Sequence, residues 1–179
     1  MTTRRARTME RLKSLIREVP DFPKPGILFK DITTLLSDAG GLRQAIACLA
    51  DPFRDVRIDK VVGIESRGFI FGAAVAERLG AGFVPARKPG KLPAPTVRID
   101  YALEYGTDAL EIHEDAVERG QRVLIVDDLL ATGGTARAAA DLVTGRGAEV
   151  HAFAFLVELD ALRGRERLAA HDVFAAVHY

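Results

Sequence analysis

The sequence predicts one α/β domain on a mostly parallel, twisted sheet flanked by helices. Three observations carry this. Short apolar, β-branched runs, the best being Val123-Leu-Ile-Val, describe strands buried on both faces. Such runs alternate with helical patterns along the chain, as crossover connections require. The junctions between them are rich in glycine, hydroxyl and charged residues, and open α/β sheets bind ligands at the carboxyl ends of their strands.

Each element follows from its own residues. Residues 9–19 read as a short amphipathic helix closed by Pro20, and Ser37 or Asp38 can cap a second helix to about Ala50. Lys60-Val-Val-Gly-Ile is a buried strand, followed by a helix from about Gly68 to Leu79 that stops at Gly80. Gly82-Phe-Val-Pro-Ala is the next short strand. Residues 97–105 and 108–113 form an antiparallel pair around Gly106, projecting from the main sheet. The strand at 123–127 feeds a helix opening near Thr135, with Gly145 and Gly147 as stop signals. A strand at 150–159, a helix at 163–170 and a strand at 173–177 complete the chain. Without repeats or a linker, residues 1–179 are expected to form a single domain.

Composition narrows the function. Lys+Arg and Asp+Glu both number 25, so no global field recruits nucleic acid or a membrane. No apolar run reaches the ~18 residues of a membrane span. Arg4, Arg5, Arg7, Arg11 and Lys13 crowd the start without a following apolar stretch, which reads as a solvated tail and not a secretory signal. Cys48 is the one cysteine and lies in a helical pattern beside Ile46 and Leu49, as a buried inert thiol would. His113, His151, His171 and His178 lack metal-ligand spacing. The expected location is cytoplasmic.

The chemistry concentrates at 123–135. Asp127 and Asp128 stand where the strand should end, and the turn Ala131-Thr-Gly-Gly-Thr135 leads into a helix. A helix N-terminus offers free N–H groups and positive dipole to a phosphate, and glycines let backbone approach the anion. A Thr-Gly-Gly-Thr turn alone is also common at ordinary strand–helix junctions. Paired carboxylates could accept from ribose hydroxyls, bind a metal, or cap the helix. Together, pair and turn suit a sugar phosphate.

These residues resemble the phosphoribosyl pyrophosphate (PRPP) motif of the type I phosphoribosyltransferases. With the Leu129-Leu130-Ala131 filling and the flanking segments, they resemble the adenine-specific branch, over about residues 11–168. The resemblance implies the type I phosphoribosyltransferase fold, with a projecting flexible hairpin loop and a small N-terminal hood over about residues 1–35. It also implies transfer of the phosphoribosyl group from PRPP to N9 of adenine, giving AMP and pyrophosphate in purine salvage. Mg²⁺ would be held by PRPP and water, with no direct protein ligand. A 6-oxopurine (hypoxanthine, guanine or xanthine) transferase is the alternative, and a non-catalytic PRPP-responsive regulator a further one.

The resemblance also distributes roles. Asp127 and Asp128 would accept from the ribose, while Ala131, Thr132, Gly133, Gly134 and Thr135 hold the 5-phosphate. Ser66, Arg67 and Gly68 would meet pyrophosphate, with Arg67 as charge clamp, helped by Lys88, Lys91 and Tyr105. Arg87 resembles a pyrophosphate-side residue that reaches the neighbouring site in family homodimers. Phe29 and Leu129 would sandwich adenine while backbone at Leu28 and Lys30 reads its edge. Glu104 is the implied general acid/base near N7.

Overall fold

The computed structural model of the protein describes residues 3–102 and 107–179. The chain divides into two compact units, Met1–Cys48 and Leu49–Tyr179, with the division in the last turn of one helix.

In the first unit, α1 (Thr3–Ser14) takes up the basic cluster expected as a loose tail. It ends earlier than the 9–19 pattern implies. Leu15 and Ile16 donate back three residues, to Leu12 and Lys13, at 3.1 Å each, a tightened last turn. The chain then extends into β1 (Arg17–Pro20), paired antiparallel with β2 (Leu28–Asp31), a hairpin the sequence reading does not contain. Asp21 and Asp31 shape its ends, as expected of turn residues: Asp21 Oδ1 accepts from Gly26 N–H at 2.7 Å, and Asp31 Oδ1 from Thr33 N–H at 2.9 Å. After the short α2 (Thr33–Ser37) comes α3 (Ala39–Ala50). Asp38 caps it through Gly41 N–H at 2.5 Å, one of the two expected caps. Leu12, Ile32 and Leu35 form this unit's interior, and Cys48 is half-buried, not buried.

The second unit carries the sheet. β3 (Lys60–Ile64), α4 (Gly68–Leu79) and β4 (Gly82–Ala86) follow in order, with Gly80 left-handed at the helix end. β5 (Thr96–Ala102) and β6 (Thr107–His113) form a separate antiparallel pair. β7 (Arg122–Leu130), α5 (Gly134–Gly145), β8 (Glu149–Glu158) and β9 (Asp172–His178) complete it. The five-stranded sheet is wholly parallel, in the order β4-β3-β7-β8-β9. The helix expected at 163–170 is instead a 3₁₀ turn, Gly164–Leu168.

Two features of this sheet position a site. Strand order reverses between β3 and β7, the kind of switch point where α/β sheets open a crevice. β7 also runs three residues past its expected end: its pairing with β3 stops at Val126, whereas its pairing with β8 continues to Leu130. The β5–β6 hairpin forms a sheet of its own, as expected, and among the described residues is tied to the main one at a single bridge. Arg87 and Glu111 exchange backbone hydrogen bonds at 2.9 and 2.8 Å, tying β6 to the end of β4. Leu110 and Ile112 enter the main core beside Ile64 and Ala86.

Candidate active site

The acidic pair lies where β7 has lost β3 but kept β8. Asp128 is buried, and its Oδ2 is held by Arg67 Nε at 2.7 Å. Asp127 Oδ1 accepts from the Asp128 N–H at 2.8 Å. Desolvation, then the neighbouring Asp128 charge, pushes the Asp127 carboxyl well above the usual range. Desolvation raises Asp128 too, opposed by the Arg67 guanidinium. Two adjacent carboxylates thus share the Arg67 guanidinium, which leaves them suited to hydroxyl donors or further positive charge.

Arg67 sits at the start of α4, directly after the β3 strand end, where Glu65–Ser66 is a cis peptide. Gly68 opens that helix against the acids: a Cβ there would stand 2.7 Å from Asp127 Oδ1. Side chains of any size would push the two strand ends apart. Ile64, Glu65, Ser66, Arg67, Lys88, Asp127, Asp128, Leu129 and Thr135 line a cavity of about 370 Å³. Residues from three strand ends therefore converge on one cavity.

A second, smaller cavity of about 80 Å³ adjoins it, lined by Asp127 and the 129–136 run. This is the turn read as a phosphate cradle. Gly133 has φ +80° and caps α5, whose first turn closes with Arg137 N–H on Gly133 O at 2.9 Å. Behind the turn lies the Gly164–Leu168 segment. A Cβ on Gly133 would stand 2.5 Å from Gly164 O, and one on Gly164 would stand 2.2 Å from Ala131 O. Two backbones in direct contact set the turn's shape.

The basic loop after β4 is held from below. Glu65 accepts from Arg87 Nε at 3.2 Å, Arg87 Nη2 at 3.1 Å and Lys88 N–H at 2.9 Å. Hydrogen bonding from Arg87, against desolvation, keeps the Glu65 carboxyl below its usual range. Arg87 also donates to the Lys91 carbonyl at 3.1 Å and lies 5.8 Å over the Phe69 ring. Its guanidinium is thus bound within its own chain, and Lys91 is exposed outside the lining of the cavity. Lys88 does line it. Its ammonium is engaged by Asp108 and by the Tyr101 hydroxyl, the latter at 3.2 Å.

In the first unit, Phe29 meets Phe22 edge-on at 5.1 Å, Leu28 is exposed, and Lys30 pairs with Glu18 across the β1–β2 ladder. Glu104 and Tyr105 lie outside the described residues. His178 comes within 2.9 Å of Asp160 and 3.8 Å of Glu158, but Arg165 Nε already holds both Glu158 oxygens at 2.7 and 2.8 Å.

Sequence reasoning assigned no role to Glu65, Tyr101, Asp108 or Gly164. Tyr101 and Asp108 face each other across the hairpin, a pairing that a turn centred on Gly106 does not predict.

Comparison with known proteins places this geometry. Residues 34–176 match the family model described as "Phosphoribosyl transferase domain". An adenine phosphoribosyltransferase of Solibacter usitatus is 63% identical over 171 residues, covering 96% of this chain and 99% of that protein. The crystal structure of the Thermoanaerobacter pseudethanolicus adenine phosphoribosyltransferase is 54% identical with a TM-score of 0.93, over 96% of this chain and 99% of that one. The Saccharomyces cerevisiae enzyme, complexed with D-2,5-dideoxy-2,5-imino-altritol 1,6-bisphosphate and adenine, is 42% identical with a TM-score of 0.90, over 96% and 99%. The chain belongs to the phosphoribosyltransferase family, in its adenine phosphoribosyltransferase branch.

Proposed function

We propose that the chain transfers the phosphoribosyl group of PRPP to N9 of adenine, giving AMP and pyrophosphate in purine salvage. One observation carries the reading: the acidic pair, Arg67, Lys88 and the Thr135 end of the glycine turn line a single cavity. The names of the relatives select adenine over the 6-oxopurines. The yeast relative's complex, which holds adenine and a bisphosphate, has the matching ligand chemistry.

In this reading the backbone N–H groups and hydroxyls of residues 131–135 hold the 5-phosphate at the head of α5. Asp127 and Asp128 accept from the ribose hydroxyls and fix the anomeric carbon. Arg67, Lys88 and the N–H groups of Ser66 and Gly68 take the charge of departing pyrophosphate, the largest share of catalysis in a reaction run by positioning and electrostatics. Leu129 meets one face of the base; in the first unit Phe29 offers an aromatic face for a purine, and Leu28 and Lys30 offer backbone groups for its amino edge. Glu104 is proposed to handle the proton at N7, and Tyr105 to bind pyrophosphate. A carbonyl facing a 6-oxo group would be left without a donor, which costs on the order of 1–3 kcal/mol.

The residues fit Mg²⁺ brought in with PRPP. Asp128 is already committed to Arg67, so the pair would attract a hydrated cation without caging it. When bound, the ion supplies further neutralisation of the diphosphate. A homodimer is supported by apolar surface on α4 and the β4 edge, where Ile70 and Phe83 are exposed. No helix among the described residues is long and apolar enough to cross a membrane.

The test is incubation with PRPP, Mg²⁺ and each of adenine, hypoxanthine, guanine and xanthine, with nucleotide and pyrophosphate identified. AMP with equimolar pyrophosphate is expected. A nucleotide formed only from a 6-oxopurine, or none at all, overturns the proposal.

A further inference from the structure

Lys88 belongs to two neighbourhoods. It lines the cavity with Arg67, Asp128 and Thr135. Its ammonium nevertheless binds the Asp108 carboxylate, lies 3.2 Å from the Tyr101 hydroxyl, and sits 5.7 Å from the Tyr101 ring centre. Asp108 and Tyr101 are cross-strand partners on β6 and β5. The Tyr101 hydroxyl is 3.2 Å from Asp108 Oδ2 and accepts from Thr135 Oγ1 at 3.3 Å. Four side chains from the β4 loop, the hairpin and the glycine turn are thus linked, and both ends of the link face the cavity.

Resting on the reading of this cavity as the site of PRPP and pyrophosphate, we propose that Asp108 sets the affinity of the polyphosphate subsite by competing with the bound anion for Lys88. A carboxylate already on the ammonium must be displaced before a phosphate oxygen takes its place. Displacement is cheap for Asp108. Its Oδ1 accepts from Ala109 N–H at 2.8 Å, its Oδ2 keeps the Tyr101 hydroxyl, and its side chain is 30% exposed. Although desolvation pulls the Lys88 pKa down, the hydrogen bonds it donates to Asp108 and Tyr101 hold it above the usual lysine range, so the lysine stays charged. The consequence is a weaker grip on the leaving group and an easier product release, the step that limits many enzymes. Tyr101 is the positioning residue of the exchange, because it touches both Asp108 and the Thr135 hydroxyl.

The probe is inorganic pyrophosphate, titrated calorimetrically into the full chain. Asp108→Asn is expected to bind it about 2- to 5-fold tighter than the unaltered protein, the range of a partly exposed ion pair. Asp108→Ser should do the same, which guards against one variant folding poorly. Adenine affinity should not move. In a Lys88→Met background the gain should vanish, because the competition is for that ammonium and a general charge effect would survive. Equal or weaker pyrophosphate binding by both Asp108 variants overturns the proposal, as does an undiminished gain without Lys88. Failure of the unaltered chain to bind pyrophosphate overturns the underlying reading of the cavity as well.

Discussion

Substitution of Gly164 tests whether the glycine turn is shaped from behind. Three glycines separate the two ways alanine can fail. Gly80 has φ +66° and nothing within 4 Å of an added Cβ, so only backbone conformation opposes Gly80→Ala, at about 1–2 kcal/mol. Gly164 has no positive φ to oppose alanine, yet its Cβ would stand 2.2 Å from Ala131 O and 2.9 Å from Leu130 Cδ1. Overpacking of that kind costs about 1–3 kcal/mol. Gly133 combines φ +80° with a Cβ 2.5 Å from Gly164 O, so the two penalties sum to about 2–5 kcal/mol. In a chain of this size each kcal/mol moves the melting temperature by about 2–4 °C. Thermal unfolding should therefore rank the variants Gly80→Ala, Gly164→Ala, Gly133→Ala in order of increasing loss. The functional order should differ. Gly164→Ala and Gly133→Ala displace the proposed cradle and should raise the KM for PRPP at least ~10-fold, while Gly80→Ala leaves it unchanged. A Gly164→Ala protein with unaltered melting temperature and unaltered KM would refute the reasoning, because the backbone contact would then carry no constraint.

Other outcomes follow from the same geometry. Asp127→Asn should raise the melting temperature by about 2–6 °C, since it removes a carboxylate that burial disfavours, while weakening PRPP use. Because that carboxyl's pKa is raised on folding, its destabilising effect grows as pH rises above the ordinary carboxylate range. The gain from Asp127→Asn should therefore be larger at pH 8 than at pH 4, and the reverse order would count against the assignment. Glu65 is the opposite case, with a pKa lowered by Arg87. Glu65→Gln should lose about 1–2 kcal/mol at pH 7, a deficit that fades as the carboxylate of the unaltered protein protonates below its usual range. Denaturant midpoints at both pH values read this directly. Glu104→Gln should lower turnover by about 10²–10⁴-fold with PRPP affinity kept, and full activity would remove Glu104 from the mechanism.

The legible parts of the molecule are those whose determinants are contiguous. β3 and β7 announce themselves through buried β-branched runs, and the proposed ribose and phosphate residues fall within nine positions of one another. The N-terminal hairpin does not. Leu12, Ile16 and Val19 keep helical spacing, so the pattern continues through a point where the backbone has already turned extended. β1 is short, polar and bounded by Pro20, which leaves no alternation to read. Likewise, the Gly164 contact joins backbones thirty-one residues apart (164 against 133), and no local signal marks it. The Lys88 network depends on hairpin register, which a sequence encodes only through the placement of its turn.

The one-sided pairing of β7 has a bearing on how such a site can change over time. On the β8 side the acidic pair is stitched to a neighbouring strand through Leu130, so a substitution there disturbs the whole sheet. On the β3 side pairing ends at Val126, and the facing groups come from short connecting segments. Under the proposed roles, substitutions at residues 65–68 and 87–88 should therefore be tolerated more readily than substitutions at 127–130.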